Sequence, residues 1–327
     1  CSIIKKIDLF GRNLSFEENN VQAYNTYIGA VLTALTFITV VIMGFLFGKE
    51  IYEKKIPLVM NSEELLDSGR VPISDFPLIL FFYDIEGKDL KESNSRFEFR
   101  VSYIHIDAQR RPSVKYYRGL TECNPDHFTK HKDFVEVTVQ QAKANNFTAY
   151  CISHLPEFVV QNPMASLNSS SISVDVYDCN EEFNAAISHL VENKNDTFPK
   201  CKEPTITNKV VYSTVNYIDS FIDPKNYSEP VTYFPASEVL TLDVGSAYRL
   251  NYKLKKSLVV TDVGWIIEDT SEEQAIFLDN PTRELFIPFH EKLIIEIGVP
   301  LRQSKIIRNY LKLQELFAKI GGLFNAL

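Results

Sequence analysis

Residues 27–48 have the sequence YIGAVLTALTFITVVIMGFLFG and form a run of 22 residues without a charged side chain. A helix of this length spans about 33 Å, which is enough to cross a hydrocarbon core of about 30 Å. A buried helix of a soluble protein is the alternative, but such helices rarely extend so far without a charge. The segment therefore predicts a transmembrane helix, and membrane lipid as a partner of the chain.

Gly44 and Gly48 lie four residues apart near the end of this segment. Small residues at this spacing let a second helix approach the backbone closely in a membrane. We predict that they form a helix-packing surface. The alternative is an incidental occurrence, because glycine is common in membrane helices. On the first interpretation, replacing both glycines by Leu should weaken assembly without preventing insertion.

The segment before this helix, residues 1–26, is balanced in charge and is predicted to be a cytosolic juxtamembrane arm. Lys and Arg number three on each flank of the helix, so the positive-inside rule does not decide the orientation. The chain opens at Cys1, to which we assign no function.

Residues 49–302 alternate between apolar and polar side chains over short stretches separated by turn-forming residues. Tyr248, Leu250, Tyr252 and Leu254 alternate with polar side chains, and a period of two places all four on one face of a strand. The pattern predicts a mostly β, antiparallel, sandwich-like domain, either single or divided into two sub-domains. We expect Trp265, the only tryptophan, in its core because it leads into Ile266 and Ile267.

The last segment, residues 303–327, has apolar residues at alternating steps of four and three, which is typical of a helix that packs on another helix. The predicted packing residues are Ile306, Tyr310, Leu313, Phe317, Ile320 and Phe324. From Ile320 onward the segment is uncharged and includes Gly321 and Gly322. We therefore predict an amphipathic helix that leads into a second transmembrane helix, with a helix that ends on the β domain as the alternative.

Four of the five cysteines lie within the predicted β domain: Cys123, Cys151, Cys179 and Cys201. An even number in one domain suggests disulfides and allows three connectivities. We favour Cys123 with Cys151 and Cys179 with Cys201, because sequential pairing closes short loops; four free buried thiols are the alternative. The acceptor sequons at Asn146, Asn168, Asn195 and Asn226 lie on the same side of the membrane helix and predict a glycosylated lumenal or extracellular domain.

Catalytic motifs are absent from the sequence: it has no Gly-rich phosphate loop, no nucleophile elbow and no HExxH. We predict no enzyme activity and no cofactor. His127 and His131, at i and i+4, could share a helix face and hold a metal, but Lys130 and Lys132 would repel a cation. The net charge of −8 falls on the middle of the chain, because the C-terminal segment is basic. An acidic domain argues against nucleic acid as a partner.

Several motifs occur in an order found in one protein family: IDLFGRNLSF, YNTYIGAVLT, TECNPDHF, Tyr150-Cys151, VDVYDCN, Cys201, YRLNYKLKKSLVVTDVGWIIED and RNYLKLQELFAKIGGL. Together they resemble a family of uncharacterised two-pass transmembrane proteins from ciliate protists. The resemblance implies a cytosolic arm, a disulfide-bonded lumenal or extracellular β domain and a second helix at the end. It implies nothing about activity.

These features favour a non-enzymatic integral membrane protein that acts as a structural or interaction subunit through its acidic β domain. Its partners would be membrane or extracellular protein subunits, in a homo- or hetero-oligomer. A plasma, ciliary or secretory membrane would suit it. The alternatives are a subunit of a two-span ion channel, which has the same layout, and a secretory-pathway cargo receptor. Thr33, Thr36 and Thr39 are the only polar side chains of the first helix after Tyr27, so this helix has no ionisable group of the kind that marks ion paths.

Overall fold

The computed structural model describes residues 13–18, 21–23, 27–65, 69–90, 97–152, 158–162, 168–179, 181–188, 210–243, 246–279, 281–287 and 291–326. Within them the chain has an apolar N-terminal helix, a mostly β domain and a C-terminal helix, which confirms the predicted fold class. The helices are α1 (Tyr27–Glu53), α2 (Lys132–Ala144), α3 (Glu181–Ile187) and α4 (Leu313–Ala326).

The strands, in chain order, are β1 (Asn13–Glu18), β2 (Val21–Ala23), β3 (Leu58–Leu65), β4 (Arg70–Pro72), β5 (Leu78–Asp84), β6 (Phe97–Ile106), β7 (Pro112–Arg118), β8 (Leu120–Glu122), β9 (Tyr150–Ile152), β10 (Val159–Gln161), β11 (Ser169–Asp178), β12 (Val211–Ile222), β13 (Val231–Leu242), β14 (Ala247–Asp262), β15 (Thr270–Leu278), β16 (Thr282–Phe286), β17 (Glu291–Gly298) and β18 (Arg302–Asn309). β1 and β2 pair with each other in front of α1.

Among the described residues the β domain has two sheets. The smaller sheet has the order β13-β12-β5-β9-β8, and the larger one follows the path β3-β18-β14-β17-β11-β10-β4 with side pairings of β6, β7, β15 and β16. The sheets share one core, in which Phe82 lies 4.6 Å from Phe99 and Tyr217 lies 5.5 Å from Tyr252, measured between ring centroids. The arrangement is therefore sandwich-like, as predicted.

Strand β14 runs through the centre of the larger sheet and is paired along both edges. On one edge, β17 pairs with its first half and β18 with its second half, both parallel to it. On the other edge, β16 and β15 pair antiparallel with the same two halves. The predicted purely antiparallel sheet is thus wrong at β14, because residues 291–309 follow one edge of β14 as two strands in succession.

Three strands meet at the end of the larger sheet where the chain joins its terminal helices. Leu58 at the start of β3 pairs with Asn309, and Thr261 near the end of β14 pairs with Arg308. Residues 54–57 connect this end to α1, and residues 310–312 connect it to α4. We call it the membrane-proximal end, because α1 is long and apolar enough to cross a membrane.

The predicted helix over residues 303–327 is wrong in its first third. Ile306 lies on β18, opposite Asn61 of β3 and Val259 of β14, and Tyr310 follows the strand. Pairing on both sides within the sheet overrides the local helical spacing, and the β-branched Ile306 and Ile307 suit a strand. The helix begins only at Leu313, so the predicted seam keeps Leu313, Phe317, Ile320 and Phe324 on α4.

Candidate functional site

His127 and His131, the weak candidates for a metal site, do not share a helix. His127 ends a short 3-10 helix, whereas His131 precedes α2 with a φ of 58°. The two residues therefore lie on different elements and share no helix face. His131 instead packs against Tyr233, with 4.5 Å between ring centroids. Burial, together with the neighbouring Lys130, lowers the pKa of His131.

The cysteines agree with the predicted pairing where the structure describes them. Cys123 and Cys151 form a disulfide that joins the start of the 3-10 segment to β9, and Cys179 is also disulfide-bonded. Cys201 lies outside the described residues. Of the sequons, Asn146 and Asn226 are exposed and Asn168 is half-buried, while Asn195 lies outside the described residues. Glycosylation itself stays a prediction.

Within the single chain, Gly48 lies at a contact between helices, and packing of the other glycines in an assembly stays a prediction. A Cβ atom at Gly48 would lie 3.8 Å from Cδ2 of Leu316, so α4 passes close to α1 at this level. Gly44, Gly321 and Gly322 have open space beside them. On α4, Leu316 is buried whereas the predicted seam residue Phe317 is 63% exposed. Leu313 and Ile320 are half-buried, and the side-chain surroundings of Phe324 lie outside the described residues.

The threonines of α1 satisfy their hydroxyl groups within the helix. Thr33 donates a hydrogen bond to the carbonyl oxygen of Gly29, and Thr36 and Thr39 donate to the carbonyls four residues earlier. Ser and Thr side chains in membrane helices commonly bond in this way. Their hydroxyl donors therefore do not require a water-filled pore.

Where the helices meet the β domain, a cluster of polar and aromatic side chains fixes both connections. We call this cluster the membrane-proximal joint. It consists of Lys54, Tyr227, Asp262, Arg308, Tyr310 and Lys312. Lys54 directly follows α1, Tyr227 lies in the β12–β13 turn, and Asp262 ends β14. Arg308 lies on β18, and Tyr310 and Lys312 follow that strand.

Lys54 fixes the end of α1. Its backbone has a φ of 47°, which turns the chain sharply after the helix. Its Nζ donates to the Tyr227 hydroxyl at 2.8 Å and to the Val263 carbonyl oxygen at 3.4 Å. The ammonium also lies 4.2 Å from the centroid of the Tyr227 ring, and Tyr310 packs edge-on against that ring. A cation in contact with an aromatic face is stabilised electrostatically.

Arg308 fixes the backbone at Tyr227 through hydrogen bonds from its guanidinium group. Its side chain is 1% exposed. Among the described residues, the guanidinium donates to the Thr261 hydroxyl and to the backbone carbonyls of Pro224, Asn226 and Tyr227. A buried charge is tolerated only when such acceptors satisfy it. Arg308 therefore ties the β12–β13 turn to the larger sheet.

Asp262 and Lys312 fix the start of α4. The Lys312 Nζ lies 2.8 Å from Oδ2 of Asp262, which is 4% exposed. Oδ1 of Asp262 accepts hydrogen bonds from the backbone N–H groups of Gly264 and Asp269. Burial opposes ionisation, but the Lys312 ammonium and these N–H groups outweigh it and hold the pKa of Asp262 below its usual value.

Comparison with known proteins identifies the family. Residues 82–297, more than half of the chain, match the family model described as "Uncharacterised 80 kDa protein N-terminal domain". The chain belongs to this family. The family region contains Tyr227 and Asp262 of the joint, whereas Lys54, Arg308, Tyr310 and Lys312 lie outside it. The specific resemblance to ciliate proteins stays a prediction.

The other comparisons add little. Among solved structures, the chain is similar to one titled "Cryo-EM structure of a proton-activated chloride channel", at 10% identity over 90% of this chain and 93% of that chain. The TM-score is 0.28, which is too low to support an argument about fold or function. No curated protein matches the chain.

Sequence reasoning missed the joint because its members are distant in the chain. Lys54 and Tyr227 are 173 residues apart, and Tyr227 and Arg308 are 81 apart. One weak signal was available: Arg308 directly follows the β-branched Ile306 and Ile307, and a charge beside buried strand residues must be either exposed or bound. Trp265, expected in the core, is instead 58% exposed. It lies on the loop after β14, which is held at the membrane-proximal end of the sheet.

Replacing Asp262 by Asn should destabilise the β domain by about 2 kcal/mol at pH 7, because a charged hydrogen-bond partner of a half-buried Lys is lost. The effect depends on pH. Because the folded-state pKa of Asp262 is lowered, its contribution is complete above the ordinary value of 3.8 and disappears as the pH falls through the folded-state pKa. Urea unfolding of both proteins between pH 3 and 7 would measure this. A difference in stability that stays constant down to pH 3 would contradict it.

Proposed function

We propose that the chain is a structural or interaction subunit of a membrane assembly, and that strand β3 forms its lateral contact. The observation that carries the proposal is the exposure of this strand. Among the described residues β3 pairs only with β18, so its other edge is open. Ile56 just before it and Leu58 and Met60 within it are 71%, 66% and 47% exposed. An open strand edge with exposed apolar side chains is a template for protein contact.

The position of β3 suits a contact between membrane subunits. The strand begins five residues after the end of α1, so a neighbour that lies beside α1 in the bilayer also meets β3. Its acidic residues are already neutralised, since Glu63 bonds to Lys255 and Arg302, and Glu64 pairs with Lys305. The hydrogen bonds from Lys255 and Arg302 lower the pKa of Glu63. The negative charges of β3 are therefore balanced by these cations and would not repel an acidic partner.

The Cys123–Cys151 disulfide and the exposed Asn146 and Asn226 support placing the β domain in the lumen of the secretory pathway or outside the cell. The protein would then reside in a plasma, ciliary or secretory membrane. Its protein partner would be another copy of this chain or a different membrane subunit.

The test combines Leu58→Lys with Met60→Glu and measures the mass of the complex in native nanodiscs extracted from the membrane with a polymer. The wild-type protein should form complexes larger than one chain, and the double variant should shift to single chains. The control is Leu285→Lys with Ile287→Glu, which charges two apolar residues that are 66% and 92% exposed at the other end of the sheet. A wild-type protein that is already a single chain, or a double variant that assembles normally, would overturn the proposal.

One observation favours a two-span ion channel as a second candidate function. α4 begins beside the end of α1 and approaches it at Gly48, so two apolar helices leave the β domain toward the membrane side by side. The hydrogen-bonded threonines of α1 make it the weaker candidate. Ion flux into protein-containing vesicles under a salt gradient distinguishes the two: flux supports the channel, and its absence at confirmed insertion supports the structural subunit. No feature of the described residues favours a cargo receptor.

A further inference from the structure

The loop between β14 and β15, residues 263–269, displays three large apolar side chains to solvent. Trp265, Ile266 and Ile267 are 58%, 58% and 79% exposed. Water-exposed apolar surface of this kind is unfavourable unless something covers it in the native setting. We call these three residues the apolar tip.

The loop holds the apolar tip in a fixed shape. Val263 N–H donates to the Asp269 carbonyl oxygen at 2.7 Å, and Oδ1 of Asp262 accepts from the N–H groups of Gly264 and Asp269. A Cβ atom at Gly264 would lie 1.8 Å from the Ile267 carbonyl oxygen, so only glycine fits this turn. The two ends of the loop are therefore joined by hydrogen bonds, and its backbone is tightly packed between Gly264 and Ile267.

The apolar tip lies at the level of the lipid headgroups. Leu316 is beside Gly48, the last residue of the uncharged part of α1. Leu313 is three residues earlier on α4, about 4.5 Å further from the hydrocarbon core if α4 lies along the membrane normal. Its N–H donates to the Trp265 carbonyl oxygen at 3.0 Å. The headgroup layer is about 5–8 Å thick on each side of the core, so the Trp265 backbone lies within it.

A second contact limits how far the loop lies from the hydrocarbon core. The Lys54 Nζ lies 3.4 Å from the Val263 carbonyl oxygen, and Lys54 follows the uncharged part of α1 by six residues. That distance along a helix is about 9 Å, slightly more than the thickness of the headgroup layer, so the loop begins near the outer surface of this layer. The loop begins at Val263 and continues to the apolar tip.

We propose that Trp265, Ile266 and Ile267 insert into the boundary between headgroups and acyl chains of the bilayer that α1 crosses. Tryptophan is enriched at this boundary because its ring is apolar and its indole N–H stays wet. Lys54 and Lys312 flank the loop, but their ammonium groups are bound within the protein, so the proposed lipid contact is made by the apolar tip alone. The proposal goes beyond the assembly function, since β3 would contact protein whereas the apolar tip contacts lipid.

The test uses the wild-type chain, because Trp265 is its only tryptophan and its fluorescence reports on this site alone. The full chain is reconstituted into phosphatidylcholine vesicles with and without bromine on the upper acyl carbons. Brominated lipid should reduce Trp265 emission at least about twofold. Aqueous acrylamide should quench it less in vesicles than after urea unfolding. Flotation of the vesicles confirms insertion.

A matched control moves the fluorophore to the opposite end of β14. In Trp265→Phe with Leu285→Trp, the new tryptophan replaces a residue that is 66% exposed and pairs with Tyr248. Tyr248 is 14 residues from Asp262, about 46 Å along the strand, so brominated lipid should not quench this variant.

Unchanged Trp265 emission in brominated vesicles would overturn the proposal. If acrylamide then quenches Trp265 freely, the apolar tip is in water. If acrylamide fails as well, a protein surface covers the apolar tip, and the lipid contact is equally excluded. Neither outcome depends on whether β3 forms the lateral contact, so this proposal and the proposed function fail separately.

Discussion

Replacing Arg308 by Met should lower the free energy of unfolding of the β domain by about 3–5 kcal/mol. The substitution keeps an unbranched apolar side chain but removes every donor. The carbonyls of Pro224, Asn226 and Tyr227 would then lose a partner at a site where Arg308 is 1% exposed. Each buried polar group left without a partner costs about 1–3 kcal/mol. The decrease in the free energy of unfolding is measured by urea unfolding of the full chain in detergent micelles, monitored by circular dichroism.

The matched control is Arg302→Met on the same strand. Arg302 is exposed and its ion pair with Glu63, at 3.3 Å, is open to solvent. An exposed pair contributes about 0–1 kcal/mol, so this variant should unfold close to the wild-type midpoint. Hydrogen exchange gives a second readout, because the turn that includes Tyr227 should exchange faster in Arg308→Met only. A loss below 1 kcal/mol would show that the turn is held by something other than Arg308.

The second large effect concerns a buried ion pair between β6 and β11. Arg100 and Asp175 are mostly buried, and Nη2 of Arg100 lies 2.9 Å from Oδ2 of Asp175. Arg100→Met should lower the free energy of unfolding by about 3–5 kcal/mol, because Asp175 would remain as a buried charge without its cation. Among the described residues, the hydroxyls of Ser102 and Ser173 would still donate to it. Arg100→Met with Asp175→Leu should recover most of this loss, since apolar residues can replace a buried pair at little cost.

A control for the second prediction comes from the exposed pair of Arg111 and Asp107, whose N–O distance of 2.8 Å is close to that of the buried pair. Arg111→Met should change stability by less than about 1 kcal/mol. If the double variant at Arg100 and Asp175 were as unstable as Arg100→Met alone, the cost would arise from packing of the Arg100 side chain between the rings of Tyr116 and Tyr177 rather than from the unpaired carboxylate.

The elements that could be predicted from the sequence are those whose pattern is local. The uncharged run predicted α1, which continues beyond this run to Glu53. Lys49 and Glu53 pair across one turn of the added part, at 3.7 Å. Strict alternation gave the central part of β14. The disulfide between Cys123 and Cys151 was one of three possible connectivities and was favoured because sequential pairing closes short loops.

The errors occurred where distant partners decide the outcome. β18 has helical spacing in its apolar residues, but β3 and β14 pair with it from far along the chain and make it a strand. Trp265 is a large aromatic residue of the kind found in protein cores, yet the hydrogen bonds of its loop keep it exposed to solvent. Nothing near Lys54 in the sequence indicates Tyr227 or Val263. The joint therefore exists only in the folded chain.

Strand β14 has 16 residues, is paired on both edges over most of its length and extends about 50 Å. It begins at Ala247, which pairs with Phe286 of β16. It ends at Asp262, whose carboxylate binds Lys312 directly before α4. One continuous strand therefore connects the far end of the β domain to the start of α4, so a displacement at Ala247 should reach α4 without crossing a loop.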